Sequence, residues 1–321
     1  MDIAAIKLDI GGICVQITSP HGEIIAHVHN RYSHFLSDKT PEFDFAMAFE
    51  QRVDPSRFLD VPIEMLQAFL LRNVSAIKIG NGPSHATPPD GGDKARPSPA
   101  AGDRLANKPQ VTLIGRKHLF QRSDLAGWID VEARQGKCVL KRYMENIAIE
   151  SFLRICYSFL AVIHDGLLLH SAGITRSGKG YIFPGVSGTG KSTIASLATS
   201  REWVLSDELV MVRKKEKGYL VYSTPFFGTN SSAEHNSHAP LDAAFLPIKD
   251  IKVYLKKARP APALTKLMSS VLFFSREDEL NRRLMDISAG LVAQVPFYDM
   301  YFRRDNSFWE CIGELEQNGG I

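Results

Sequence analysis

The stretch that decides the fold is a glycine-rich run of nine residues, Gly185-Val186-Ser187-Gly188-Thr189-Gly190-Lys191-Ser192-Thr193. Its first eight residues match the phosphate-loop pattern GxxxxGK[ST] in full. The glycines let the backbone wrap closely, so that its N–H groups face phosphate oxygens. The lysine of this pattern reaches the β- and γ-phosphates, and the serine hydroxyl coordinates magnesium. The run therefore predicts a site for ATP with Mg²⁺ that extends from Gly185 to Thr193.

The flanking sequence favours this interpretation over a glycine-rich turn that matches by chance. An apolar strand, Tyr181-Ile182-Phe183, precedes the run, and a helical pattern over residues 191–198 follows it. A phosphate loop needs both neighbours, because its N–H groups are presented between a strand end and a helix start.

An acidic pair, Asp207-Glu208, follows the predicted strand 203–206. Magnesium bound with a nucleotide takes a carboxylate and a loop hydroxyl, so Ser192 and Asp207 are the predicted metal ligands. Either carboxylate of the pair could instead accept the proton of an attacking hydroxyl. The alternative is a solvated acidic pair after a strand.

Residues 167–212 together resemble the catalytic core of HPr kinase/phosphorylase and its relatives, which share a fold with phosphoenolpyruvate carboxykinase. In that family a histidine ends a strand ahead of the loop, as His170 does here, fifteen residues before Gly185. The run 185–192 resembles the family's GxSGxGKS. The family's paired aspartates correspond to Asp207 and Glu208, which stand one residue closer to the loop, with glutamate second.

The resemblance implies a divergent member of that group: a mixed-sheet α/β kinase domain with α+β tendency. It implies that Asp207, Glu208, His170 and Lys191 are catalytic, and that the acceptor is a hydroxyl of a peptide or protein, since some relatives phosphorylate a serine of ribosomal peptides. The second glycine- and arginine-containing signature of the bifunctional enzymes has no match in residues 224–252. We therefore expect neither phosphorylase activity nor HPr as substrate. The alternatives are a nucleotide-gated module that binds a peptide or protein with little or no transferase activity, and a kinase of small molecules.

Other polar groups have plainer explanations. His170 could be a buried histidine with a backbone partner, and His235 and His238 belong to a polar loop in which histidines are common. The arginine pairs at 282–283 and 303–304 are candidate phosphate ligands, but such pairs are usually solvated or salt-bridged. Gly11-Gly12 fits a bulge or turn and no dinucleotide fingerprint.

Composition indicates a soluble, cytoplasmic protein. The net charge of +3 over 321 residues is too small to argue for nucleic acid or a membrane surface. The four cysteines are far apart and form no CxxC, which favours reduced thiols. The longest apolar stretch, 147–163, is interrupted by polar residues and predicts an amphipathic helix and no membrane span. The sequence is also compatible with a homo-oligomer.

The chain is predicted to form two domains. Residues 1–143 read as a small α+β domain with a hairpin over 6–29, a helix at 62–71, strands at 111–114, 128–133 and 138–143, and a flexible proline- and glycine-rich insert at about 80–110. Residues 144–321 read as the phosphate-loop domain. Its helices are predicted at 145–162, 191–198, 264–274, 280–295 and 308–315. Its strands are predicted at 167–170, 175–183, 203–206, 209–213, 219–223, 251–255 and 297–302.

Overall fold

Two mixed β-sheets with helices against them form the computed structural model, which describes residues 3–50, 109–142, 145–198, 201–226, 235–319 and 321. The first sheet has seven strands in the order β1-β2-β3-β7-β6-β5-β4. These strands are β1 (Ala4–Ile10), β2 (Ile13–Ser19), β3 (Phe43–Glu50), β4 (Gln110–Ile114), β5 (Lys117–Gln121), β6 (Leu125–Asp130) and β7 (Gln135–Lys141). Strand β3 runs parallel to β2 and β7, and the other neighbours are antiparallel.

The second sheet has eight strands, ordered β10-β8-β11-β12-β13-β15-β14, with β9 paired to both β8 and β13. They are β8 (Gly166–Arg176), β9 (Lys179–Pro184), β10 (Glu202–Ser206), β11 (Leu209–Lys215), β12 (Gly218–Tyr222), β13 (His238–Lys249), β14 (Tyr254–Lys257) and β15 (Phe297–Phe302). The two longest strands, β8 and β13, each change partner half-way along. The pairing β8-β9-β13-β12-β11-β8 therefore closes on itself.

The α-helices of the described chain are α1 (Gly22–Arg31), α2 (Glu145–Ile163), α3 (Lys191–Ser196), α4 (Pro260–Met268), α5 (Asp278–Gln294) and α6 (Ser307–Gln317), with a 3-10 turn at Ser33–Phe35. Helix α2 contacts β7 of the first sheet and β8 of the second. Its residues Phe152, Tyr157 and Phe159 are fully buried in one apolar cluster that includes residues of both sheets.

The window 146–163 of α2 is long and apolar enough to cross a membrane by length and composition, but 67% of it is buried inside the fold. That burial is typical of the core helix of a soluble protein. The fold is thus compatible with the predicted solubility.

The predicted hairpin begins as expected but ends differently. Strands β1 and β2 pair antiparallel around the turn Gly11-Gly12, where both residues have positive φ. Residues 23–29, predicted as extended, instead form part of α1, so that prediction was wrong. Ile24 and Val28, four positions apart, are the buried face of this helix. The apolar residues of α1 follow the helical period. The turn residues before them made a second strand of a hairpin the expected continuation.

Further element predictions need correction. The predicted helix 264–274 ends at Met268, because Ser269 and Ser270 leave the helix and residue 271 forms an antiparallel bridge with Leu169 of β8. Strands β3, β5 and β13 were not predicted, and the strand expected at 251–255 lies at Tyr254–Lys257. Thr175 belongs to β8, which runs unbroken from Gly166.

The remaining elements of the phosphate-loop region agree with prediction within a few residues. The predicted helix 62–71 and residues 80–108 of the predicted insert lie outside the described residues. The change from the first sheet to the second falls near the predicted domain boundary at 143, although one apolar cluster spans both. The division into two domains stays a prediction.

Candidate active site

The centre of the site is the point at which β8 changes neighbours. His170 is in register with Leu209 of β11, whereas Ser171 is in register with Pro184 of β9. Strands β9 and β11 therefore diverge here. The loop after β9 and the turn before β11 both lie beside His170 and Ser171. A strand that switches partners leaves an opening between the neighbours, and binding sites form at such openings.

Backbone hydrogen bonds fix three segments to these two residues. The carbonyl of His170 accepts from the N–H of Gly185 at 3.1 Å, at the start of the loop. The N–H of Ser171 donates to the carbonyl of Glu208 at 3.0 Å, and the N–H of His170 donates to the carbonyl of Ser270 at 2.7 Å. The loop, the acidic pair and the segment after α4 are thus held together by β8.

The glycine-rich loop lies between β9 and α3, the strand and helix that the pattern requires. Gly190 has a φ of 106°, and a Cβ atom there would stand 2.5 Å from the Phe302 ring. Only glycine fits such a position, because an L side chain would be strained and would also overlap the ring. The carbonyl of Gly190 accepts from Ile194 at 2.9 Å and so begins the short helix.

The lysine of the loop is folded back over it. Lys191 Nζ donates to the carbonyl oxygens of Gly185 at 2.7 Å and Val186 at 2.9 Å. The Thr189 hydroxyl donates to the Val186 carbonyl at 2.9 Å, which braces the loop from within. An ammonium group bonded to neutral carbonyls near a cavity can exchange them for phosphate oxygens, which bind it more strongly.

The acidic pair forms the turn between β10 and β11. The Ser206 hydroxyl accepts from the N–H groups of Glu208 and Leu209, both at 3.2 Å, and so shapes the turn. Asp207 is 3% exposed, whereas the Glu208 side chain is half-buried. Glu208 Oε1 accepts from Arg154 Nη1 at 2.9 Å, so the two carboxylates have different surroundings.

These groups line one cavity of about 660 Å³. Pockets of about 300–1,000 Å³ suit small molecules and cofactors. Its lining residues are His170, Val186, Ser187, Gly188, Gly190, Lys191, Ser192, Thr193, Asp207, Glu208, Lys249 and Ser269. Of the predicted site residues, Gly185 and Thr189 are the two that do not line it; they support the loop from behind, where Thr189 packs against Gly185.

Burial lowers the pKa of two basic side chains of the cavity, His170 and Lys191. Burial lowers the pKa of His170, and the cations of Arg154 and Lys191 lower it further, against the opposing effect of Glu208. The imidazole is therefore neutral at pH 7. Burial also lowers the pKa of Lys191, and Glu208 opposes this shift. A group whose charge is penalised by burial gains most from an anionic ligand.

Sequence reasoning missed three residues of the site: Arg154, Lys249 and Ser269. The sequence signal that could have found Arg154 is that it interrupts the apolar pattern of α2. Lys249 is the last residue of β13, which was not predicted, and Ser269 stood inside a helix predicted to continue to 274.

The other candidates lie elsewhere. Arg282 pairs with Glu279 and Arg283 with Asp165, away from the cavity. Arg303 and Arg304 line a neighbouring cavity that shares Thr193 and Lys249 with the first. His235 stacks on Trp203, and His238 makes a tilted ring contact with Tyr222.

Chemically, the donor set fits a magnesium nucleotide. Within the described ranges, no group of three or more His, Cys, Asp or Glu side chains could hold a metal ion. Magnesium that arrives with phosphates needs only one or two protein ligands, because phosphate oxygens and waters complete its shell. Ser192 and Asp207, which line the same cavity, could supply such a pair.

Comparison with protein families gives a match over the second part of the chain. The family of the SynChlorMet cassette protein ScmC matches residues 137–316, more than half of the chain. The chain belongs to the ScmC family. The ScmC segment starts within β7 and includes α2 and every residue that lines the cavity. Strands β1 to β6 and helix α1 lie outside the matched segment. A search of the curated proteins finds no match.

Proposed function

We propose that the protein is an ATP-dependent kinase that transfers the γ-phosphoryl group to a hydroxyl, first of all that of a serine, in a peptide or protein. The observation that carries this proposal is the convergence at β8. The backbone of His170 and Ser171 holds the phosphate loop and the acidic turn, so that Lys191, Ser192 and Asp207 line one cavity. The resemblance of residues 167–212 to HPr kinase/phosphorylase supports the same reaction, and the cytoplasm is the compartment that supplies ATP.

Bound Mg²⁺–ATP would supply the activated phosphoryl group and partial neutralisation of its charge. Lys191 and the loop N–H groups would hold the phosphates, and Ser192 with Asp207 would hold the metal. The second carboxylate, Glu208, would orient the acceptor hydroxyl and accept its proton. His170 is neutral at pH 7 and half-buried at the wall of the same cavity, where it can donate or accept one hydrogen bond.

The ion pair of Glu208 favours a rival, the nucleotide-gated binding module. Arg154 Nη1 stands 2.9 Å from Glu208 Oε1, so this oxygen is already held in an ion pair and is not free to contact an acceptor hydroxyl. Under this rival, ATP would order the chain for a partner with little or no transfer. A kinase of small molecules, suggested by the resemblance to the carboxykinase fold, is the third candidate.

Transfer of radiolabelled γ-phosphate to a mixture of cell peptides and small metabolites separates the three. The kinase requires label on a peptide hydroxyl with the wild-type protein and none with Asp207→Asn. The matched control is Asp286→Asn, on α5 and outside the cavity lining, which should transfer normally. Label on small molecules alone would support the third candidate. Nucleotide binding without any Asp207-dependent label would leave only the binding module.

A further inference from the structure

A serine of the protein itself lines the candidate active site. Ser269 follows the last residue of α4, and it lines the same cavity as Lys191 and the acidic pair. The residue is exposed, and within the described ranges the one hydrogen bond of its hydroxyl is donated to the Lys266 carbonyl at 2.7 Å. The oxygen lone pairs remain available, because the hydroxyl is the donor in that bond. Ser269 therefore offers the cavity the same nucleophile that we propose for the acceptor peptide.

His170 holds the segment of Ser269 close to the start of the phosphate loop. The N–H of His170 donates to the carbonyl of Ser270 at 2.7 Å, and its carbonyl accepts from the N–H of Gly185 at 3.1 Å. In an extended strand, the N–H and the C=O of one residue point to the same side. The carbonyl of Gly185 in turn accepts from Lys191 Nζ at 2.7 Å. The segment of Ser269 is therefore a neighbour of the ammonium group that would bind the terminal phosphate.

Ser269 differs in position from the other hydroxyl groups of the cavity. Ser187, Ser192 and Thr193 also line the cavity, but they belong to the loop and to α3. The loop surrounds the phosphates, and in the proposed function the hydroxyl of Ser192 holds the metal. In-line transfer needs an attacking oxygen on the side of the terminal phosphate opposite the bond that breaks. Among the described residues that line the cavity, Ser269 is the hydroxyl that comes from outside the loop and α3.

The charges of the cavity decide whether a phosphoserine can be held there. Ser269 caps the C-terminus of α4, and a phosphate group is unfavourable at that end of a helix. Two lysines of the cavity offset this cost, Lys191 on the loop and Lys249 at the end of β13. Lys249 forms no ion pair with any described residue, so its charge is available to a phosphate. A phosphate on Ser269 would thus be bound by the cations that bind the terminal phosphate of ATP.

We propose that Ser269 is a phosphorylation site of the protein itself, modified by ATP bound in the cavity of the same chain. This inference rests on the proposed kinase function. Ser269 Oγ forms a bond to the γ-phosphorus, the bond from that phosphorus to the β–γ bridging oxygen breaks, and ADP leaves. The hydroxyl proton passes to a carboxylate of the acidic pair, which lines the same cavity. Because the phosphoserine competes with ATP for Lys191 and Lys249, the modified protein binds ATP more weakly.

The test incubates the full-length protein with Mg²⁺ and γ-labelled ATP and without any peptide. We expect the protein to become labelled, and fragmentation of the tryptic peptide 267–276 to place the label on Ser269. This peptide also contains Ser270, which is fully buried, and Ser275, which bonds His118. The rate constant should not depend on protein concentration, because the transfer occurs within one chain. An unlabelled protein, label on Ser270 or Ser275 instead, or a rate constant that rises with protein concentration would overturn the inference.

Variants at Ser269 separate the hydroxyl from the fold around it. Ser269→Ala should lose the label, whereas Ser269→Thr keeps a hydroxyl and should retain label at position 269. The matched control is Ser196→Ala, which should be labelled like the wild-type protein. Ser196 is exposed on α3, outside the cavity lining, and its hydroxyl also donates to the carbonyl three residues earlier, that of Thr193, at 2.8 Å. Undiminished labelling of Ser269→Ala, or equal losses in Ser269→Ala and Ser196→Ala, would contradict the proposal.

Labelling of added peptides separates this inference from the proposed function. Label on a peptide with none on Ser269 would support the kinase and exclude the self-phosphorylation. Label on Ser269 with none on any peptide would retain the self-phosphorylation and reject peptides as acceptors. Label on neither, although nucleotide binds, would overturn both. If both are right, Asp207→Asn loses both labels, and prior phosphorylation of Ser269 lowers the affinity for a fluorescent ATP analogue.

Discussion

The guanidinium group of Arg154 donates to Glu208 Oε1 at 2.9 Å, although the two residues are 54 positions apart in the chain. Arg154 belongs to the core helix α2 and Glu208 to the turn after β10, so this ion pair ties the acidic pair to the helix that contacts both sheets. Each side chain is only partly exposed, 21% for Arg154 and 32% for Glu208.

A double-mutant cycle should detect this ion pair. We expect Arg154→Ala and Glu208→Gln to show a coupling free energy of about 1 kcal/mol, above most exposed pairs because both groups are partly desolvated. Urea unfolding of the wild-type protein, the two single variants and the double variant measures it. The exposed pair Arg282–Glu279 is the control cycle and should give a smaller coupling. Strict additivity at Arg154 and Glu208 would show that the pair contributes nothing.

Replacement of the loop lysine should weaken nucleotide binding strongly. Lys191→Ala removes the ammonium group that now bonds two loop carbonyls and that would bind phosphates. We expect ATP affinity to fall by about a hundredfold or more, since charge-assisted contacts to two phosphates are lost. Titration of a fluorescent ATP analogue measures this. Lys252→Ala, an exposed lysine outside the cavity lining, is the control. Full ATP affinity in Lys191→Ala would mean that the loop does not hold the phosphates.

Two glycines of the loop should differ in their tolerance of alanine. Both have positive φ, 87° at Gly188 and 106° at Gly190, and alanine is strained at either. A Cβ atom at Gly190 would also overlap Phe302, whereas one at Gly188 meets nothing within 4 Å. Gly190→Ala should therefore destabilise the protein by about 1–3 kcal/mol more than Gly188→Ala, the usual cost of overpacking. Thermal and urea unfolding compare the two variants, and equal losses would contradict the close approach of Gly190 to the Phe302 ring.

Stability should fall in mild acid because of His118. This side chain is 1% exposed, and burial lowers its pKa to about 4, against the opposing charge of Asp130. The unfolded chain, with a pKa near 6.5, therefore binds more protons between pH 6.5 and pH 4, and stability falls as the pH falls through that window. The loss attributable to His118 is about 3 kcal/mol at its largest.

The variant His118→Gln isolates this effect, because glutamine does not titrate and can still bond Ser275, which His118 Nε2 contacts at 3.0 Å. The free energy of unfolding, measured by urea at intervals between pH 4 and 7, should depend less steeply on pH in the variant than in the wild-type protein. The exposed histidine variant His29→Gln should follow the wild-type curve. Parallel curves for His118→Gln and wild type would show that His118 does not titrate between the two pKa values.

Much of the candidate site could be predicted from residues that are adjacent in the sequence. The strand, glycine-rich loop and helix around Lys191 follow from adjacent residues, because backbone conformation there depends on glycine and on the apolar period of the flanking elements. The strand before Asp207 is likewise a short apolar run. Helix α2 was predictable because its long apolar pattern has the helical period. Strand β13 was harder to recognise, because prolines at 240 and 247 stand within it and it pairs with three different neighbours.

The sequence by itself determined the loop, its lysine and serine, the acidic pair after a strand, and the mixed α/β class. Only the tertiary structure decided that His170 and Ser171 hold the loop and the acidic turn together, that Arg154 bonds Glu208, and that Ser269 lines the cavity of the loop. These relations join residues tens of positions apart or more, and they depend on where β8 changes partner and on how α2 and the segment after α4 pack beside it. Local propensity carries no information about such pairings, since they are fixed by burial and strand register across the whole fold.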